Sequence, residues 1–327
     1  MPSQRGILSY LTKRRCILQM GFFGNMMNNY FYGKAGKGDY TVSDMPKNRF
    51  ELFGAVMRVR WGGLFGVNLL YMIFWLPGFI WTLMNTSVLL SSSFELTYES
   101  IHSYLLMFLI GLVPCTVIAG PFTAGATYIT RNWARDEHSF VWSDFWDAVK
   151  GNWKQALPVS LISGLMPLLL YLSWMFYGQM ANQSLFYLVP MGLVFLIAMI
   201  WKLSEMVIYT MMVTYQLSLR ALIRNAILIT MAKFPLAILI KLITWIVPIA
   251  AFLVMWFAPS TQMYVILILC LVYLLYVPAF NRMITSSYAN ALCEKYLNTK
   301  IEGAATNIGL RPDDWDDTEY IPQDDEE

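Results

Sequence analysis

Apolar and polar segments alternate along this chain in a pattern that predicts six membrane-spanning helices. A helix needs about 20 predominantly apolar residues to cross the hydrocarbon core of a bilayer. Six windows come close to or exceed that length: residues 61–84, 104–129, 156–177, 185–208, 235–257 and 263–281. A membrane β-barrel would instead show segments of about 10 residues that alternate apolar and polar positions, and the sequence lacks that alternation. We therefore expect an all-α fold, a polytopic bundle of six transmembrane helices.

The connectors between these windows predict how the bundle is oriented. Residues 85–103, 178–184 and 258–262 contain no lysine or arginine, whereas the segments on the other side hold nearly all of the basic residues. Loops rich in lysine and arginine stay in the cytoplasm. We therefore expect a multi-pass protein of the cell membrane with both termini cytoplasmic, and the lipid bilayer as its first partner.

Three cytoplasmic segments that precede outward-going spans are predicted to form short amphipathic helices. They are residues 50–60, 140–154 and 217–233. In the second, Phe145 and Val149 recur at helical spacing, and charged residues occupy the opposite face, as in helices that lie on a membrane surface. Each segment with its following spans would form one of three repeated hairpins. The alternative is that hydropathy alone produces the likeness.

Composition excludes a water-soluble protein, since 57% of residues are hydrophobic and only 13% are charged. The net charge of +2 hides a strong polarity along the chain, because residues 1–60 hold ten basic residues against three acidic ones and nine acids follow Arg311. We predict a basic cytoplasmic segment at residues 1–60, facing anionic headgroups. Residues 61–282 would form the six-helix domain, and residues 283–327 a cytoplasmic segment that ends in a disordered acidic tail.

The most distinctive motif closes the second predicted span and continues into the third. Its helix end consists of Gly120, Pro121, Ala124, Gly125 and Tyr128; a loop with Arg131, Arg135, Glu137 and Trp142 follows, and then Asn152, Trp153 and Lys154. On these residues the chain resembles the YesL-like family of bacterial membrane proteins, a domain of unknown function numbered 624. The resemblance implies a six-span plan and a link to carbohydrate uptake, but it carries no assigned reaction, cofactor or catalytic residue.

The physical chemistry of this motif leaves two interpretations open for each part. Gly120, Ala124 and Gly125 permit close helix contact, as small residues do in bilayers. Arg131 and Arg135 lie four residues apart and share a helical face, where they would hold a lipid phosphate or an acidic partner. The alternative is simple anchoring of a cytoplasmic helix end. Candidate partner or lipid contacts are Arg131, Arg135, Glu137, Trp142, Asn152, Trp153 and Lys154.

Lys202 and Glu205 form a candidate intramembrane polar pair. They are three residues apart inside a long apolar stretch, where charges are costly unless they face protein or water. If the fourth span ends near Ile208, both lie at the interface and Lys202 extends its charge toward water. If the span runs further, the pair lies in the membrane and is functional. Lys241 is expected to reach the interface in the same way.

Signatures of catalysis and of cofactor binding fail in this sequence. The basic loop at residues 33–39 has Asp39 where a phosphate-binding loop needs lysine. His102 and His138 are predicted on opposite sides of the membrane, so they do not form a compact metal site. We therefore predict no catalytic residue, no metal and no cofactor. The basic loops are too sparse for a nucleic-acid surface, so nucleic acid is not an expected partner.

Three classes of function remain. The first is a non-enzymatic accessory or assembly partner of a carbohydrate uptake system, docking on subunits of a sugar importer. The second is a small-solute transporter or channel that uses Lys202 and Glu205. The third is a membrane enzyme acting on lipid-linked substrates, for which Arg135, Glu137 and nearby acids are the available polar cluster. The resemblance favours the first.

Overall fold

The computed structural model describes residues 45–312, apart from 92, 93, 95 and 96. Within these ranges the chain forms α-helices and short 3-10 turns, with no strand. The helices are α1 (Arg49–Leu89), α2 (Tyr98–Trp133), α3 (Val141–Ala181), α4 (Leu188–Met212), α5 (Leu219–Ala232), α6 (Phe234–Thr244), α7 (Ile246–Phe257), α8 (Gln262–Leu275) and α9 (Val277–Tyr296). The phosphate-loop-like segment, most of the basic N-terminal segment and the acidic tail lie outside the described residues.

Several helices are long and apolar enough to cross a membrane. Four continuous helical segments reach that length, namely α1, α2, α3 and Leu185–Met212. Two bent pairs raise the number to as many as six: α5 meets α6 at 96°, and the segments on either side of Tyr276 meet at 57°. The expected all-α, multi-pass architecture is therefore confirmed. The count of six spans and the hairpin repeat stay predictions.

Two of the three predicted amphipathic helices are not separate elements. Residues 50–60 and 140–154 form the first turns of α1 and α3, which continue into the apolar part without a break. The third segment is a separate helix, α5, that ends at Ala232. Pro235 follows at the start of α6, and a proline interrupts a helix because it lacks an N–H and clashes with the preceding turn.

The small residues of the motif bring α2 and α3 into close contact. A Cβ placed on Gly120 would come within 2.2 Å of Ser160 Oγ, and one on Gly125 within 2.9 Å of a Val149 methyl. Ala124, between them, is fully buried. Helices packed this closely gain dispersion contacts that lipid cannot replace, so the motif's first role is to join α2 to α3.

Both ends of the described chain lie at the same end of the bundle. Arg49, at the start of α1, pairs with Glu294 in the last turns of α9. The segment after α9 returns to the same place, since Asn307 N donates to Glu294 Oε2 (2.9 Å) and Arg311 N donates to Pro46 O (2.9 Å). The chain thus crosses the bundle an even number of times. Which side faces the cytoplasm stays a prediction.

We expect Gly120→Val to destabilise the protein by about 1–3 kcal/mol, the usual cost of forcing extra atoms into a packed core. The new methyl groups would collide with Ser160 and with the Ala156 carbonyl. The midpoint of thermal unfolding in detergent measures the effect. Gly151→Val is the matched control, because a Cβ at Gly151 meets nothing within 4 Å. Equal midpoints for the two variants would contradict a tight α2–α3 contact.

Candidate functional site

Charged side chains from three helices meet around Glu205 of α4. Lys202 Nζ lies 3.0 Å from Glu205 Oε2, and the Glu205 side chain is 17% exposed. Lys241 of α6 and Arg282 of α9 also act electrostatically on this carboxylate. Among the described contacts Lys202 alone forms an ion pair with Glu205, and Lys241 and Arg282 lie within electrostatic range of it. Three cations thus act on one anion, which leaves the cluster with a net positive charge. The pair predicted from sequence belongs to this larger charge cluster, defined as Lys202, Glu205, Lys241 and Arg282.

A cavity of about 1030 Å³ opens beside the charge cluster. Its volume reaches the upper end of the range usual for ligand sites. Glu205, Lys241 and Arg282 line it, together with residues of α1, α2, α4 and α6 to α9. Apart from those three charged groups, its walls are largely apolar, and they include the aromatic side chains Trp75, Phe79, Trp245, Phe252 and Trp256.

The cavity is long, and its charge lies at one end. Its lining on α1 runs from Tyr71 to Leu90, a distance of about 28 Å at 1.5 Å per residue. The charge cluster belongs to the Tyr71 end, because α9 starts there: Asn68, one turn before Tyr71, accepts a hydrogen bond from Ala279 N. The α1 residues that line the other end, from Leu83 to Leu90, are uncharged.

The charge cluster lies between two breaks in the helices. At each break an asparagine side chain donates a hydrogen bond to a backbone carbonyl that a proline leaves without a donor. Pro278 has no N–H for the carbonyl of Leu274, one turn earlier. Asn68 supplies the missing donor, since its Nδ2 lies 2.8 Å from Leu274 O and 3.1 Å from Tyr273 O. Its Oδ1 also accepts from Ala279 N at 2.9 Å. Asn68 is fully buried, and these bonds join α1 to both α8 and α9.

The second break, between α6 and α7, follows the same logic. Pro248 deprives the Thr244 carbonyl of its donor one turn later, and Asn281 Nδ2 donates to Thr244 O at 3.1 Å. Backbone groups inside a bilayer must find partners within the protein. The two asparagines therefore supply the donors that the breaks need. Lys241 precedes one break and Arg282 follows the other, so these bonds also set the positions of the two cations.

The aromatic ring of Tyr209 packs against the arginine of the charge cluster. The Arg282 guanidinium carbon lies 5.2 Å from the ring centre of Tyr209, and Tyr209 is 2% exposed. A cation over an aromatic face gains stabilisation, more so away from water. Nearby, Tyr71 and Thr123 share a hydrogen bond of 2.8 Å between their hydroxyls, which secures α1 to α2 at the charged end of the cavity.

The motif residues lie elsewhere and do not line this cavity. Arg131, in the last turn of α2, and Arg135, in the loop that follows, both pair with Glu137, with N–O distances of 3.6 Å and 3.3 Å. Asn290 of α9 donates to the Arg131 carbonyl at 3.1 Å. The predicted lipid or partner contacts of the two arginines stay untested, and in this structure the two side chains share the single carboxylate of Glu137.

The remaining motif residues lie on the surface of α3. Trp142 is 67% exposed and packs edge-on against Trp146. Lys154 lies over the ring of Trp153 at 5.7 Å, and Asn152 Nδ2 donates to Ala148 O within the same helix. Their accessible aromatic faces fit an interface with lipid or with protein.

Sequence reasoning alone missed most of the groups around Glu205. It placed Lys241 at the interface and did not single out Asn68, Asn281 or Arg282. The sequence did contain a signal for Asn68. An asparagine inside an apolar span needs a partner within the protein, and Pro278 leaves a backbone carbonyl free to be that partner. Across the part of the chain that the structure describes, three or more metal-ligating side chains are nowhere grouped.

We expect Asn68→Leu to lower the free energy of unfolding by about 1–3 kcal/mol, because it leaves buried backbone groups of α8 and α9 without partners. Thermal unfolding in detergent measures this change. Asn85→Leu is the control, since Asn85 Nδ2 bonds only to Trp81 O within its own helix among the described contacts. A variant Asn68→Leu as stable as the control would contradict the bridging role of this side chain.

Comparison with known families concerns the first half of the bundle. Residues 64–174 match the model of a family described as "Protein of unknown function, DUF624". The matched region begins in α1, contains all of α2 and ends in α3, so it includes the motif from Gly120 to Lys154. No curated protein and no solved structure gives a significant match. The resemblance to YesL-like proteins is thereby confirmed, and residues 64–174 of the chain are similar to the DUF624 family.

Proposed function

We propose that the protein binds an anionic small molecule in the cavity beside Glu205 and moves it across the membrane. The observation that carries the proposal is the net positive charge cluster at the wall of a cavity between broken helices. Charged groups inside a membrane protein are costly and mark substrate or ion pathways. The matched family has no described activity. The support therefore comes from the positions of the charged residues, the cavity and the helix breaks.

The helix breaks give the site features that transporters use. Secondary transporters commonly form their binding sites where membrane helices are discontinuous. Here Lys241 lies four residues before the break at Trp245, and Arg282 lies six residues after the break at Tyr276. A change in the angle at either break would move a cation relative to Glu205. Such hinges make it possible to expose the site alternately to each side.

Glu205 has a clear role in this scheme. In the absence of a ligand it offsets part of the charge of Lys202, Lys241 and Arg282, which would otherwise repel one another in a medium of low dielectric constant. An arriving anion would compensate the remaining charge. A shift of Lys241 or Arg282 toward the ligand would then couple binding to the position of α6 or α9.

We expect Glu205→Gln to impair flux of an anion through the reconstituted protein by about tenfold, because a charge-assisted contact contributes enough for such a change. Liposomes containing the full chain would be assayed with labelled phosphate, succinate and dodecyl phosphate, and with glucose as the neutral probe. Arg220→Gln is the charge control, since Arg220 is exposed and does not line the cavity. Normal flux in Glu205→Gln would assign the pair a structural role, and absence of flux for every anion would refute transport.

A role as a non-enzymatic partner of a carbohydrate importer is the second candidate. It follows from the YesL-like resemblance, and the exposed aromatic side chains Phe140 and Trp142 support it, being 69% and 67% exposed. Aromatic residues of this kind often dominate binding at protein interfaces. The third candidate, an enzyme acting on lipid-linked substrates, gains less support, because Glu137 is paired with arginines and Asp144 caps α3 by accepting from Phe140 N.

If the accessory role holds, we expect importer subunits to co-purify with the tagged protein in mild detergent at a fixed ratio. Phe140→Ala together with Trp142→Ala should lower their yield about tenfold, in line with the loss of two interface anchors. Quantitative mass spectrometry of the eluate measures the ratio. Trp174→Ala serves as control, as another exposed tryptophan near the opposite end of α3. Elution of the protein without such subunits would contradict this role.

A further inference from the structure

The shape of the cavity identifies the class of ligand more closely than its charge alone. The net positive charge lies at the Tyr71 end, and the cavity then extends about 28 Å along α1. Apart from Glu205, Lys241 and Arg282, no charged residue lines it. A small hydrophilic anion would use only the first part of this space. The rest would offer it apolar and aromatic surface that it could not use.

We propose that the cavity takes an anionic amphiphile, with its phosphate or carboxylate between Lys241 and Arg282 and its apolar chain along the aromatic wall. This inference rests on the proposed function and names the substrate class of the same site. A phosphate or carboxylate matches both cations, since each donates charge-assisted hydrogen bonds to such oxygens. The chain would cover Trp75, Phe79, Trp245 and Phe252, which line the cavity.

The helices that enclose the cavity support an apolar occupant. Neither α7 nor α8 has a buried residue of its own, although Phe252 of α7 and Ile266 of α8 line the cavity. In a bilayer the outer faces of these helices contact lipid, and their inner faces contact the cavity. Water filling an apolar space of this size would gain few hydrogen bonds, whereas a hydrocarbon chain would complete the packing.

Other occupants fit these observations less well. A neutral chain would leave the positive charge of the cluster uncompensated, at a high cost in a medium of low dielectric constant. A cation would be repelled by Lys241 and Arg282. A free anion without a chain would leave the long apolar part to water. Charge complementarity and length together therefore favour one molecule that carries both features.

Photolabelling of the full-length protein in phosphatidylcholine nanodiscs tests the proposal. The probe is palmitate with a diazirine in its chain, and the labelled peptides are mapped by mass spectrometry. We expect labels on α1, α7 and α8, displaced by dodecyl phosphate but neither by dodecanol nor by inorganic phosphate. A second arm uses phosphatidylglycerol with the same diazirine, and labelling by that lipid alone would identify a membrane lipid as the source of the same chemistry.

Variants establish whether the charged end selects the ligand. We expect Lys241→Gln and Arg282→Gln each to weaken binding of the probe about tenfold, and Arg282→Lys to retain most of it. Arg220→Gln should bind as the unchanged protein does. Size-exclusion profiles show which variants are folded. If Arg282→Gln does not fold, Lys241→Gln and the comparison with Arg282→Lys still decide the question.

Three outcomes would overturn the proposal. The first is that dodecanol displaces the palmitate probe as effectively as dodecyl phosphate does. The second is that inorganic phosphate by itself displaces the probe. The third is that folded Lys241→Gln binds the probe as well as the unchanged protein does. Binding of the amphiphile without flux would refute the transport proposal but preserve the ligand class. Flux of phosphate or succinate without binding of either photoprobe would refute the amphiphile as ligand but preserve the transport proposal.

Discussion

The hydrogen bonds of two asparagine side chains to the backbone at two prolines are the constraint on which the site depends. A bilayer offers no water to a carbonyl whose proline partner lacks an N–H. Asn68 meets this need at Leu274, and Asn281 meets it at Thr244. The helices can therefore bend within the apolar region. Without these bonds, the two carbonyls would need other donors, or the helices would have to break at other positions.

The positions of the two helix breaks determine where two of the charged side chains lie. Lys241 precedes one break, Arg282 follows the other, and both line the same cavity as Glu205 of α4. Each charge alone would be strongly disfavoured in this environment. Together they offset one another in part and leave a positive remainder. This remainder is the physical reason why an anion is the expected occupant, and it depends on the packing of α4 against the broken helices.

The hydropathy pattern predicted the helical class and the multi-pass plan because crossing a bilayer requires long apolar segments with internal hydrogen bonds. It also predicted the contact of small residues at Gly120, which requires only local spacing. The cavity was not predictable in this way, since Asn68 and Ala279 are 211 positions apart. The position of Lys241 beside the same cavity as Glu205 was not predicted, because a lysine near the end of an apolar window usually reaches toward water and only the tertiary fold brings the two residues to one cavity.

The thin wall formed by α7 and α8 has a practical consequence for biochemistry. These two helices bury no residue of their own, so the surrounding acyl chains supply much of their solvation. A harsh detergent would loosen this wall before it affects α2 and α3, which contact each other directly at Gly120 and Gly125. Activity lost on extraction would therefore report delipidation of one hairpin rather than collapse of the whole fold.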